Sequence, residues 1–111
     1  MATDARTMDY ILEQASRAGA VSGRKMFGEY ALYCDGKTVA FVCNDQLFVK
    51  PTGPGRALAP DAYDAPAYPG SKLYMLIDAG LWEDADWLSS LVRATADALP
   101  EPKPKPKRTK G

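Results

Sequence analysis

The stretch KMFGEYALYCDGKTVAFVCNDQLFVK, Lys25 to Lys50, decides the fold. Asp35-Gly36 sits between two runs rich in Tyr, Phe and Val. That pattern predicts a two-residue hairpin with a type I′ turn. Asn44-Asp45 predicts a second tight turn. The stretch therefore reads as three antiparallel strands, Lys25 to Cys34, Lys37 to Cys43 and Gln46 to Lys50. With Asp35-Gly36 as the loop, Cys34 faces Lys37, Leu32 faces Val39, Tyr30 faces Phe41 and Gly28 faces Cys43. One face then carries Met26, Tyr30, Leu32, Cys34, Val39, Phe41 and Cys43, and is expected to meet the helices. The other carries Phe27, Glu29, Ala31, Tyr33, Thr38, Ala40 and Val42. For the third strand, a two-residue turn puts Phe48 and Lys50 on the first face and Leu47 and Val49 on the second. A bulged turn reverses this, because one residue of slip exchanges the faces. Both remain open from sequence.

Helical periodicity flanks the strands. Met8, Ile11, Leu12, Ala15 and Ala18 share one face of a predicted helix over 3–18. Thr3 or Asp4 is its cap, and Gly19 is the left-handed residue expected to end it. A last helix is predicted over 85–98, with Asp84 as cap and a buried stripe of Leu88, Leu91, Val92, Thr95 and Ala98. Residues 72–77 read as a fourth strand, followed by a turn at Asp78-Ala79-Gly80. Residues 51–70 hold five prolines and three glycines. They read as a long connection with one turn of helix at Gly55 to Leu58, either functional or a packed surface crossing. No βαβ repeat appears. The expected class is α+β, an antiparallel sheet of about four strands flanked by an N-terminal and a C-terminal helix.

Charge divides the chain into two parts. The 111 residues carry 14 Lys+Arg, 14 Asp+Glu and no histidine. Residues 101–111 hold five of the basic residues and one acid, a net of +4, which leaves the rest at −4. The expectation is one domain over 1–100 and a basic Pro/Lys tail over 101–111. Alternating prolines hold such a tail extended. Lys103, Lys105, Lys107, Arg108 and Lys110 are candidate phosphate contacts that do not read sequence. A solubilising tail without a partner is the alternative. No apolar run reaches the length of a membrane span, and the N-terminus lacks the apolar core of a signal peptide. A cytoplasmic location is expected.

The missing histidine removes Ser-His-Asp and Cys-His catalysis and every His-containing zinc site. Two cysteines, Cys34 and Cys43, cannot make a four-Cys site. In the derived register they share a face at opposite ends of the hairpin, roughly 20 Å apart at about 3.3 Å per residue. They are expected to be buried free thiols; a reactive Cys34 activated by Lys37 is the competing reading. Gly53-Pro54-Gly55-Arg56 lacks the GK[ST] ending of a phosphate loop. Asp61, Asp64, Glu83, Asp84 and Asp86 read more simply as loop acids and a cap than as an acid–base pair. Arg24, Lys25, Phe27, Tyr33, Arg56, Tyr63 and Tyr68 are the candidate pocket or interaction surface. No cofactor, metal site or catalytic residue is expected.

Lys25-Met26-Phe27-Gly28-Glu29-Tyr30-Ala31-Leu32-Tyr33, then Asp35-Gly36, Ala40-Phe41-Val42 and Leu47-Phe48-Val49-Lys50, resemble the N-terminal domain of the TfoX/Sxy competence-regulator family. Tyr68, Leu73-Tyr74-Met75, Leu81 and Trp87 extend the resemblance over about 5–99. It implies an α+β module without an agreed catalytic site, from bacterial cytoplasmic regulators that act with a transcription activator on DNA-uptake genes. No functional residue is carried over. Full-length members add a C-terminal helical domain, for which this chain has no room. The expected function is a non-catalytic regulatory or interaction module. Its expected partners are a protein, transcription machinery included, weakly held nucleic acid and a second copy of the chain. The alternative is a small-molecule-binding domain, or a histidine-free enzyme, with a pocket under the 51–70 loop.

Overall fold

A computed structural model of the chain describes residues 3–26 and 29–100. In order they form α1 (Ala5–Gln14), a 3₁₀ turn (Ser16–Ala18), β1 (Val21–Met26), β2 (Glu29–Cys34), β3 (Lys37–Cys43), β4 (Gln46–Val49), α2 (Gly53–Leu58), β5 (Tyr63–Pro66), β6 (Leu73–Ile77), a second 3₁₀ turn (Ala79–Glu83) and α3 (Ala85–Ala98). The class is α+β, as expected. The antiparallel sheet has six strands rather than about four, in the order β1-β2-β3-β4-β6-β5.

The two extra strands have different origins. The predicted strand over 25–34 is two strands, because Met26 pairs with Glu29 and Val21 with Cys34. The chain reverses between them. Polar Ser22, Arg24 and Lys25 mask β1 in the sequence, since an edge strand needs little apolar surface. Gly23 fits there because α1 lies close: a Cβ would come 2.6 Å from Met8 Cε. The other extra strand, β5, lies within the proline-rich connection and forms the opposite edge, where a proline costs no ladder bond.

Both tight turns match the sequence. Asp35 and Gly36 have φ of 53° and 82°, and Asn44 and Asp45 have φ of 54° and 60°, the type I′ signature. The derived register holds at Cys34–Lys37 and Tyr33–Thr38, then slips. Leu32 pairs with Ala40, Ala31 with Phe41 and Tyr30 with Val42. Val39 is the extra residue of a β-bulge. One residue of slip exchanges faces, so Ala40 and Val42 point to the helices, and Phe41 and Cys43 point away. The next turn is the two-residue kind, with Cys43 opposite Gln46 and Phe41 opposite Phe48. It keeps Phe48 with Phe41 and Cys43, as that turn requires, but the whole group now lies on the far face. Leu47 and Val49 accordingly enter the main core. Cys34 and Cys43 end on opposite faces, both buried and free.

All three helices pack on one face. α1 is shorter than the predicted 3–18. Asp4 caps it, accepting from Arg6 N, and the chain then tightens into the 3₁₀ turn. Gly19 has positive φ, +141°, but ψ of −148°, so it is not in the left-handed helical well expected for a helix end. α3 spans the predicted range, and Asp84 accepts from Trp87 N at 3.0 Å. Its stripe holds Leu88, Leu91, Val92, Thr95 and Ala96; Ala98, placed there from sequence, is exposed, and Leu99 packs on the core instead. Lys37 Nζ donates to Ala96 O and Leu99 O at 2.8 and 3.1 Å, covering the negative end of this helix. α2 begins two residues before the predicted turn. Thr52 Oγ1 accepts from Gly55 N, and Pro54 occupies the first turn. Gly55 has no room for a side chain: a Cβ would lie 2.8 Å from Thr52 Oγ1 and 3.1 Å from Thr95 Oγ1. This contact locks α2 onto α3.

Candidate interaction surface on the open face of the sheet

The register across the six strands builds one row. Arg24 pairs with Ala31, Ala31 with Phe41, Phe41 with Phe48, Phe48 with Leu76, and Leu76 with Tyr63. Paired residues share a face, so the row crosses the whole sheet opposite the helices. Phe48, Cys43 and Ala67 form a small buried cluster there, with Phe41, Ala65, Tyr74 and Leu76 half-buried around it. The Phe41 ring meets Tyr74 at 5.4 Å and Tyr68 at 6.3 Å, both edge-on. Such edge-to-face pairs favour a fixed arrangement of rings.

The candidate residues separate into three places. Arg24 and Tyr33 meet on this face, with the guanidinium 5.9 Å from the ring centroid. Tyr68 joins them at its far side. Lys25, next to Arg24 on β1, alternates to the opposite face. Arg56 belongs to the scaffold: it donates to Ala62 O at 2.9 Å and pairs with Asp64, tying α2 to β5. Tyr63 is 79% exposed and lines a cavity of about 590 Å³ at the β5 edge, with Leu58, Leu76, Leu81 and Trp87. Phe27 and the tail cations Lys103, Lys105, Lys107, Arg108 and Lys110 lie outside the described residues.

Sequence reasoning left Phe41, Phe48, Lys50 and Lys72 out of the surface, and set Tyr74 among aromatics better explained as core. The spacing Phe48-x-Lys50 and Lys72-x-Tyr74 carries the signal, because period-two spacing puts each pair on one face. The bulge at Val39 concealed which face that was.

The thiols are poor nucleophiles. Burial pushes the Cys34 thiol up, and Asp35 adds to the shift. Its Sγ donates to Ala18 O at 3.7 Å. Burial pushes Cys43 up to about 11. Lys37 stands opposite Cys34 but spends its ammonium on the α3 carbonyls. Among the acids, Asp64 and Asp86 sit in ion pairs and Asp84 caps α3. Among the described residues no group of three His, Cys, Asp or Glu is placed to hold a metal.

A family model described as the TfoX N-terminal domain matches residues 13–99. The chain belongs to the TfoX N-terminal domain family. An uncharacterized 12.7 kDa protein from the trpE 5′ region of Spirochaeta aurantia is 42% identical over 110 residues, covering 99% of this chain and 95% of the relative. This TfoX N-terminal domain thus has a counterpart of nearly its own length. Among the described residues, no helix is long and apolar enough to cross a membrane.

Proposed function

We propose that this TfoX N-terminal domain is a non-catalytic interaction module of bacterial cytoplasmic transcription regulation, acting on competence genes through the open face of its sheet. The observation that carries the reading is the aromatic row opposite the helices. A protein partner of the transcription machinery would find there the Tyr, Phe and Arg side chains that dominate protein interfaces. The +4 tail adds weak affinity for nucleic acid by releasing counterions. Expression of DNA-uptake genes tests the reading, in a host lacking the gene and complemented with the wild type or with Tyr33→Ser/Tyr68→Ser. Transcripts should fall on deletion and recover only with the wild type. Unchanged transcripts on deletion, or full rescue by the variant, would overturn it.

The cavity at the β5 edge favours a second reading, a small-molecule-binding domain. The α2–β5 connection does wall an apolar hollow of about 590 Å³, within the size range of ligand pockets. A thermal-shift screen with metabolites checks it, since a ligand of the native state raises the melting temperature. Silence at millimolar ligand would remove this reading.

A further inference from the structure

Lys50 follows β4 and Lys72 precedes β6. These strands are antiparallel neighbours with Val49 opposite Met75, so both lysines stand at the same end of the sheet. A cleft of about 560 Å³ opens there, lined by both lysines together with Tyr68, Ser71, Tyr74 and Leu99. Among the described residues no carboxylate lines it. Among the described residues neither ammonium has an acidic partner.

Two cations held together without an anion are an unbalanced arrangement. Burial, and then the nearby Lys72, lower the pKa of Lys50. Both causes disfavour its charged form, and a bound anion would relieve both. The neighbours suit such a ligand. Tyr74 adds a phenolic hydroxyl, protonated at neutral pH and able to donate. Tyr68 is 46% exposed, and its ring stands perpendicular to Phe41 at 6.3 Å, so part of the ring remains open to solvent. The negative end of α3 near Leu99 is already covered by Lys37.

We propose that this cleft binds the phosphate of a nucleotide, with Lys50 and Lys72 holding the phosphate and the Tyr68 ring receiving the base. The −4 charge of the body does not oppose this, because the described residues that line the cleft include two lysines and no acid. Base–aromatic stacking tolerates any base, so the site selects for phosphate and ring rather than for sequence. The nucleotide is either free or part of a single strand. The site needs neither a protein partner nor a role in transcription, and it survives the failure of the regulatory reading.

Calorimetric titration of the full chain tests it, with AMP, adenosine, inorganic phosphate and the oligonucleotide dT8 as probes. AMP should bind at least about tenfold more tightly than adenosine, the size of one hydrogen bond to a charged group. Lys50→Gln/Lys72→Gln should lose that margin, and Lys50→Arg/Lys72→Arg should keep it. Tyr68→Ser should weaken AMP more than inorganic phosphate. If dT8 binds and each lysine removed lowers the log–log salt slope by about 1, a strand supplies the phosphate. If AMP binds and dT8 does not, the source is a free nucleotide. The proposal fails if neither binds. It also fails if the Gln double variant, with an unchanged melting curve, binds AMP like the wild type. A variant with all five tail cations changed to Gln should retain AMP affinity, and loss of AMP binding there would overturn the site equally.

Discussion

The two faces of the sheet are built from different residues and end differently. The helix face holds Leu32, Val39, Ala40, Val42, Leu47, Val49, Met75 and Ile77, all at 0–1% exposure. Around the small buried cluster of Cys43, Phe48 and Ala67, the open face holds Phe41, Tyr33, Tyr74 and Leu76, none of them fully buried. Aliphatic side chains interdigitate under helices, and buried methylenes there each contribute about 0.8 kcal/mol. Aromatic rings with a polar tip serve a surface that stays half wet. The difference separates the residues that hold the fold from those that remain for binding.

Truncation should expose the difference most strongly. Leu47→Ala opens a hole under the helices and should cost about 2–5 kcal/mol, read from the urea midpoint. A smaller loss would mean that the helices collapse onto the gap. Thiol labelling sharpens the comparison next. Cys43 lies on the open face yet is 5% exposed, with its pKa at about 11. Iodoacetamide at pH 7 should label it roughly a hundredfold more slowly than a free thiol, since only thiolate reacts. Fast labelling of Cys43 alone would show that the open-face cluster breathes apart from the main core.

Gly55→Ala drives a methyl into the α2–α3 contact and should cost about 1–3 kcal/mol without touching either face of the sheet. The Asp35 carboxyl gives a weaker, pH-dependent effect. The Arg93 hydrogen bond, and then the Ala20 N–H, hold it below the usual carboxylate range. A depressed folded pKa stabilises above the unfolded value, about 3.9, and that contribution is lost as pH falls through the folded one. Asp35→Asn should therefore lower the urea midpoint at pH 7, by a margin that narrows as pH falls below about 3.9. A gap that stays constant through that fall would assign the loss to geometry instead of charge. Tyr68→Ser should change stability least, by no more than about 0.5 kcal/mol. A cost like that of Leu47→Ala would show that the open face is part of the core.

Much of the architecture was legible where local chemistry dictates it. Asp35-Gly36 and Asn44-Asp45 named their turns, because positive φ at both positions limits the residues allowed. Asp84 marked α3. What stayed hidden was non-local. The bulge at Val39 leaves no mark in composition, since Val39 and Ala40 are both apolar and both buried. β1 was hidden by its polar edge character and β5 by its prolines. The site suffered from the same cause: a list drawn from residue types joined Lys25 and Arg56 to Tyr33 and Tyr68, although register separates them. Lys50 and Lys72 lie 22 positions apart in sequence, and only the β4–β6 pairing brings them together.

That bulge absorbs one residue of chain and in doing so decides which side chains meet the helices. Everything from Ala40 to Lys50 takes its orientation from it, because the following two-residue turn copies the phase onward. Deleting Val39 would leave a regular hairpin with Leu32 still opposite Ala40 and Ala31 still opposite Phe41, so Phe41, Cys43 and Phe48 would stay on the open face. Straightening the bulge with Val39 retained would instead swap inside for outside along two strands, turning Phe41, Cys43 and Phe48 to the helices and Val42, Leu47 and Val49 to water. A one-residue gap at that position in a relative would therefore mark a plainer hairpin with the same binding face.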